Sequence, residues 1–222
     1  MNHGNITGHG KARILIVDDH PIVCEGMAQF LNLQENLHLC CQAANADEAL
    51  AAMSACNHAV AIVDISLDGD TGLDLIKTLR RRYPDLAILT LSMHDESLFA
   101  ERALRSGANG YLMKQEGTKS ILQAVQQVLA GRVYLSAAMQ NTLTQRLDAP
   151  QDDDHSLISG LSAREFEVLH LIGLGFGTRQ IAEKLNRSVK TIEAHRANLK
   201  EKLQLASGTE LLSFAIRWFD NN

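Results

Sequence analysis

Five polar residues among the first 114 stand where apolar runs stop. Asp18 and Asp19 follow "RILIV", Asp64 closes "VAIVD", Ser92 closes "LAILTLS" and Lys114 closes "GYLMK". If the runs are strands of one parallel sheet, their carboxyl ends bring these groups to one edge, where sheet order reverses. Three carboxylates gathered there repel, and each raises the others' pKa unless something positive joins them. A hard divalent cation such as Mg2+ suits an all-oxygen site of this kind. Lys114 adds a second positive charge. Together they suit a phosphoryl group arriving at Asp64, whose carboxylate can act as nucleophile and give an aspartyl-phosphate. The Ser92 hydroxyl can donate to a phosphoryl oxygen. Singly, each residue has a plainer reading. An Asp at a strand end is usually a helix cap or turn residue, a Lys there a solvated charge, a Ser a turn donor. The joint placement favours a site.

The elements that must position these groups alternate regularly. Strands are expected over 13–18, 37–43, 60–64, 86–92 and 110–114. Helices are expected over 22–32, 46–53, 72–82, 96–107 and 118–131. Strands alternating with helices call for an α/β fold with an open, doubly wound parallel sheet covered on both faces. Near-continuous apolar strands fit burial on both sides. Beyond Gly131, "SAAMQNTLTQRL" (136–147) predicts one more helix. The acidic, Pro-containing "DAPQDDDHS" (148–156) has no hydrophobic period and reads as a linker.

From Leu161 to Phe219 the pattern is purely helical, in four segments. Ser162 followed by Glu165 is a capping-box arrangement. "TRQIAEKL" and "SVKTIEAHRANLKEKL", separated by a turn at Asn186–Ser188, have helix-turn-helix spacing. Ile192, Leu199 and Leu203 form one apolar stripe on the longer helix. Its other face offers Lys190, Glu193, Arg196, Ala197 and Lys200. Lys184, Arg187, Lys190, Arg196, Lys200 and Lys202 crowd the same stretch, with few acids between. Such a face suits the major groove flanked by phosphates. It equally suits a solvated basic face, and charge alone does not separate the two.

The 222 residues fit two domains better than one. The net charge of −5 hides an asymmetry: nine Lys/Arg stand against seven Asp/Glu from residue 156 onward, and twelve against nineteen before it. Only the second part suits a polyanion. No apolar run approaches the roughly 18 residues of a membrane span, and "MNHGNITGHGKAR" has no apolar h-region. A cytoplasmic protein with no membrane role is expected. Cys24, Cys40, Cys41 and Cys56 lack CxxC spacing and read as buried, reduced thiols, a metal or redox role being the remote reading. His3 and His9 lie in the polar tail. His20 reads as a helix-start residue beside the acidic pair, His195 as a phosphate contact or packing residue, Trp218 as a core or dimer contact.

Residues 13–131 resemble the receiver domain of two-component response regulators. "ILIVDDHP", "VAIVDISLDGDTGLDL", "LTLSMHDE" and "GANGYLMK" carry the resemblance. It implies a flavodoxin-like five-stranded sheet and Asp64 as phosphoacceptor. It also implies Asp19 and Asp64 as Mg2+ ligands, Asp18 supporting through water and the Ser66 backbone carbonyl completing the site. Ser92 and Tyr111 look like the switch pair and Lys114 like the phosphate-sensing lysine. Two departures stand out. Asp68 and Asp70 occupy positions where the family usually has Pro and often an apolar residue, giving a more acidic loop. Gln115 follows Lys114 where many receivers have Pro. The stretch from Leu161 to about Phe219 resembles the LuxR-type four-helix DNA-binding domain. That implies Glu193, Ala194, Arg196 and Ala197 at base edges, with Lys190, Thr191 and Lys200 on phosphates. Gly175 and Gly177, where the family often has polar residues, are expected to loosen the turn before the second helix. Together the two halves resemble the NarL/FixJ family.

The reading is therefore a receiver domain over 12–131, a linker with one helix over 132–157 and a LuxR-type helix-turn-helix domain over 158–222. The expected function is that of a DNA-binding transcription regulator, phosphorylated on Asp64 by a partner sensor histidine kinase or a small phosphodonor. Double-stranded DNA and a second copy of the chain are the other expected partners. It is not expected to be an enzyme beyond self-phosphorylation and self-dephosphorylation. One rival is a Mg2+-dependent phosphohydrolase; an acid two residues after Asp64 would favour it, and Ser66 stands there. The other is a constitutive DNA-binding protein whose first domain only dimerises.

Overall fold

The computed structural model describes residues 10–67, 72–93, 96–137, 139–141, 158 and 160–221. Contacts divide the chain into two compact units, Met1–Gln145 and Arg146–Asn222.

The first unit holds β1 (Ala12–Val17), α1 (Pro21–Asn32), β2 (Leu37–Ala43), α2 (Ala46–Ala55), β3 (Val60–Asp64) and α3 (Gly72–Arg82). They are followed by β4 (Ala87–Ser92), α4 (Glu96–Arg105), β5 (Gly110–Met113) and α5 (Thr118–Leu129). The strands form one sheet in the order β2-β1-β3-β4-β5, every pair parallel. This is the doubly wound arrangement expected from the alternation, in the flavodoxin-like form that the resemblance implies. The central strands β3 and β4 are buried along their whole length, as helices on both faces demand. The edge strand β2 is buried only intermittently.

Ile14, Ile16, Val60, Ile62, Leu89 and Leu91 share one core cluster with Met27 and Leu31 of α1 and Ile121, Val125 and Val128 of α5. Helices α2, α3 and α4 pack side by side against the sheet. Asp18 and Lys114 lie one residue past their strands rather than inside them, a difference of the size expected where ladders fray. The switch point falls between β1 and β3, so the crevice opens at the carboxyl ends of these strands.

After α5 the chain does not leave the sheet at once. Tyr134 bridges Gly110. Its amide donates to the Asn109 carbonyl at 3.0 Å, and its carbonyl accepts from Tyr111 at 2.9 Å. Tyr134 and Leu135 are buried, and the Ser136 amide donates to Glu96 Oε1 at 2.9 Å. Residues read as the start of a linker thus run beside β5. Most of the helix expected over 136–147, all of the acidic stretch 148–156, and Asp68, Asp70, His3 and His9 lie outside the described residues.

The second unit holds α6 (Ala163–Gly173), α7 (Thr178–Lys184), α8 (Val189–Lys202) and α9 (Gly208–Asn221). The capping box at Ser162 and Glu165 is formed on both sides. Gly175 (φ +84°) does not loosen the turn after α6 but closes it. Its amide donates to Ile172 and the Phe176 amide to Leu171, the paired bonds of a left-handed helix stop. Asn186 (φ +50°) does the same after α7, with bonds to Glu183 and Ala182. The Ser188 side chain then accepts from the Thr191 amide and starts α8. Ile192, Leu199 and Leu203 are buried as the stripe predicts, and Trp218 is a core residue.

Candidate functional site

The expected pocket forms at the switch point. Lys114 Nζ lies 2.6 Å from Asp18 Oδ2 and 2.8 Å from Asp64 Oδ2, with all three side chains at most 7% exposed. The Ser66 amide donates to Asp64 Oδ1 at 3.0 Å, which fixes the carboxylate plane. Burial alone would lower the pKa of the Lys114 ammonium; contact with Asp64 and Asp18 outweighs it and holds the pKa above its ordinary value. The lysine is therefore charged throughout the neutral range.

Oxygens of Asp18, Asp19 and Asp64 and a ring nitrogen of His20 all lie within 4.8 Å of one another. Asp18 Oδ2 and Asp19 Oδ1 are buried at ion-pair distance from Lys114 and His20, without the alignment of a hydrogen bond. That leaves oxygen lone pairs turned into the cluster. A compact group of carboxylate oxygens with spare capacity fits Mg2+ by donor chemistry.

His20 is the residue before α1, yet its side chain does not cap the helix. Its Nδ1 sits 3.1 Å from Asp18 Oδ1 and 2.8 Å from Asp19 Oδ1, with the ring 61% exposed. It lines the pocket mouth. Cys24 is buried beneath, its thiol donating to the Asp18 carbonyl at 3.5 Å, and burial raises its pKa. Ser92 and Tyr111 are fully buried. The Lys114 amide donates to the Ser92 carbonyl at 2.7 Å, which ties the lysine to the end of β4. Gly72, not singled out in the sequence, holds the floor. A Cβ there would stand 1.9 Å from the Asp64 carbonyl oxygen, so only glycine lets α3 start against β3. The only local signal was a glycine at the first helical position; its approach to the strand end, eight residues earlier, is visible only in the structure.

On α8, Lys190, Glu193, Ala194 and Ala197 are exposed, and Thr191, Arg196 and Lys200 are half-buried. Thr191 Oγ1 is 2.8 Å from Ser188 Oγ, part of the helix start. Two cations counted in the sequence face elsewhere. Lys202 Nζ meets buried Glu165 Oε2 at 2.7 Å, and Lys184 Nζ lies 4.5 Å from the centre of the Phe176 ring. Burial would raise the Glu165 pKa; Lys202 and the Ser162 amide reverse that and hold it below the usual value. His195 is half-buried, and burial lowers its pKa. Among the described residues, no helix is long and apolar enough to cross a membrane.

Residues 14–126 match the response regulator receiver domain, and residues 159–215 match the bacterial regulatory proteins of the luxR family. The oxygen regulatory protein NreC of Staphylococcus carnosus is 35% identical over 212 residues, covering 92% of this chain and 97% of its own. Among solved structures, a LuxR-family two-component response regulator from Aurantimonas sp. is 31% identical with a TM-score of 0.58, covering 63% of this chain and 100% of its own. RcsB from Salmonella enterica serovar Typhimurium, bound to promoter rprA in the presence of the phosphomimetic BeF3-, is 27% identical with a TM-score of 0.56. It covers 93% of this chain and 98% of its own.

Proposed function

The chain belongs to the NarL/FixJ family of response regulators, which join a receiver domain to a LuxR-type DNA-binding domain, and from that premise we propose that phosphorylation of Asp64 controls its binding to DNA. The observation that carries this reading is the buried Lys114 ammonium shared between Asp18 and Asp64. It is a preformed positive charge at the point where a phosphoryl group would gain negative oxygens.

In this reading Asp64 adds a carboxylate oxygen to phosphorus as the donor's bond to phosphorus breaks. The donor is the phosphohistidine of a sensor kinase or a small acyl phosphate. Asp19, Asp64 and the Ser66 carbonyl would hold Mg2+, with Asp18 supporting through water, and the cation would supply further positive charge against the phosphoryl oxygens. Lys114 exchanges its contact with the Asp64 carboxylate for one with the new phosphoryl group. Ser92, at the end of β4, donates its hydroxyl to that group, and the rearrangement reaches Tyr111 on the neighbouring strand. The two arrangements of β4 and β5 then differ in stability according to the charge at Asp64.

On the DNA side, Arg196 and Glu193 read base edges, Ala194 and Ala197 allow close approach, and Lys190, Thr191 and Lys200 hold phosphates. Two copies would engage two half-sites about one helical turn apart. RcsB, bound to promoter DNA with a phosphomimetic, supports the same coupling by similarity.

The test compares the wild-type chain with Asp64→Ala in acyl-phosphate labelling and in DNA binding at fixed salt, with and without acetyl phosphate and Mg2+. Labelling and phosphodonor-enhanced binding are both expected to vanish in the variant. Labelling that persists at another residue overturns the assignment.

A further inference from the structure

A second cluster of metal-binding side chains lies at the other end of the sheet. Along β1 and β2 the pairing runs Ile14 to Leu39 and then Leu15 to Cys41, so Cys40 is the extra residue of a β-bulge. Successive side chains of a strand normally point to opposite faces; a bulge re-aims one of them. Here the sulfurs of Cys40 and Cys41 and a ring nitrogen of His58 lie within 4.8 Å of one another. Cys56, at the C-terminal cap of α2, stands outside that trio but close enough to Cys41 to raise the pKa of its thiol.

His58 is the second, independent sign. It is 7% exposed, and neither ring nitrogen makes a well-aligned hydrogen bond. Burial lowers its pKa, although the Cys56 backbone lies close enough to act the other way and raise it. A buried imidazole left unpaired is costly, and such groups are uncommon unless a water or an ion meets them. Arg13 borders the cluster, its Nε donating to Cys40 Sγ at 3.4 Å. Burial, then the neighbouring thiols, push the Cys41 thiol up to about 11. Among the described residues, the guanidinium of Arg13 is the cation that meets these thiols.

We propose that Cys40, Cys41 and His58, with Cys56 as fourth donor, form a tetrahedral site for a thiophilic divalent cation of the Zn2+ class. The donor set of sulfurs and one imidazole matches that chemistry and not Mg2+. Ligand atoms around tetrahedral zinc stand about 3.3–3.8 Å apart, so side-chain rotation closes the trio of Cys40, Cys41 and His58 by about an ångström, and Cys56 must turn in to join it. Binding displaces the thiol protons. Three thiolates around a dication carry one net negative charge, which Arg13 balances. The site is separate from the carboxylate pocket. Arg13 stands near the start of β1 and His58 just before β3, and five residues of strand, about 17 Å, separate Arg13 from Asp18.

The reduced, full-length protein is titrated anaerobically with Co2+. One equivalent is expected to give the intense visible spectrum of tetrahedral cobalt with thiolate charge transfer. Zn2+ should abolish that spectrum and raise the thermal unfolding midpoint. Cys40→Ser/Cys41→Ser and His58→Gln should each remove the tetrahedral spectrum, whereas Asp19→Asn should keep it. Cys56→Ser, a change at a half-exposed helix end, should weaken Co2+ binding about tenfold or more and reduce the charge-transfer intensity. The wild-type titration decides the matter even if a core variant fails to fold. A weak octahedral spectrum, or none, at one equivalent overturns the proposal. So does a tetrahedral spectrum that survives in the folded double-serine variant, which would place the metal elsewhere.

Discussion

Lys114 shows what a single residue contributes. Its ammonium stands between two buried carboxylates, so Lys114→Met leaves like charges facing each other across the pocket. Removing one partner of a buried charge cluster costs about 3–5 kcal/mol. The variant is expected to unfold earlier than wild type in EDTA, and added Mg2+ should recover more of its unfolding midpoint than it adds to wild type. Equal Mg2+ shifts in the two proteins would show that lysine and cation do not share the carboxylates. Because the Lys114 pKa is raised, its contribution is complete below the unfolded value near 10.4 and fades only as pH rises through the folded value. Glu165 behaves oppositely. Its pKa is lowered in the folded state, so its contribution is present above about pH 4.3 and is lost as pH falls through the folded value. Glu165→Ala should destabilise the second unit by about 1–2 kcal/mol. Glu165→Gln, which keeps the capping acceptor, should lose less and show a flatter acid limb in urea melts taken against pH. The clustering of Asp18, Asp19, Asp64 and Lys114 was legible because each stands at the end of an apolar run. The Glu165–Lys202 pair was legible only by half. The capping box is a local pattern, but its partner lies 37 residues away, and nothing local says that Lys202 turns inward from a basic helix.

Elements were read with little loss, since hydrophobic period and strand burial agree along the first unit. Ends shifted by a residue or two where the chain leaves a ladder or turns through a left-handed stop. Gly175 and Asn186 show why turns are harder. Their function is set by φ, and composition at Gly175 suggested slack where the backbone bonds make a closed stop. Asn186→Gly should keep the turn between α7 and α8 and be neutral or slightly stabilising, while Asn186→Val should cost about 1–2 kcal/mol, read by thermal unfolding of the second unit. Gly72→Ala should be worse. Its methyl group would collide with the Asp64 carbonyl, and relieving such overpacking costs about 1–3 kcal/mol. A structural loss together with weaker acyl-phosphate labelling is expected; unchanged labelling would show that α3 can retreat without moving Asp64. The bulge at Cys40 could not be read at all. Adjacent cysteines on an unbroken strand would face apart, and only the pairing with β1 shows the slip.

At the scale of the molecule, the charge asymmetry divides the two tasks, but not all of its positive charge serves DNA. Lys184 and Lys202 are engaged inside the second unit, which leaves Lys190, Arg196 and Lys200 as the testable set on α8. Lys190→Ala and Lys200→Ala should weaken binding to all sequences alike and each reduce the salt slope by about one. Arg196→Ala should relax preference at one base pair, worth about 1–3 kcal/mol, in a binding selection run at constant salt. Tyr134 carries the last consequence. Its carbonyl is gripped by the amide of Tyr111, so the outgoing chain is stitched to the same strand that ends in the pocket's lysine. If β5 shifts when Asp64 is phosphorylated, the tether should shift too, read as a change in amide exchange at Tyr134 on adding acetyl phosphate and Mg2+.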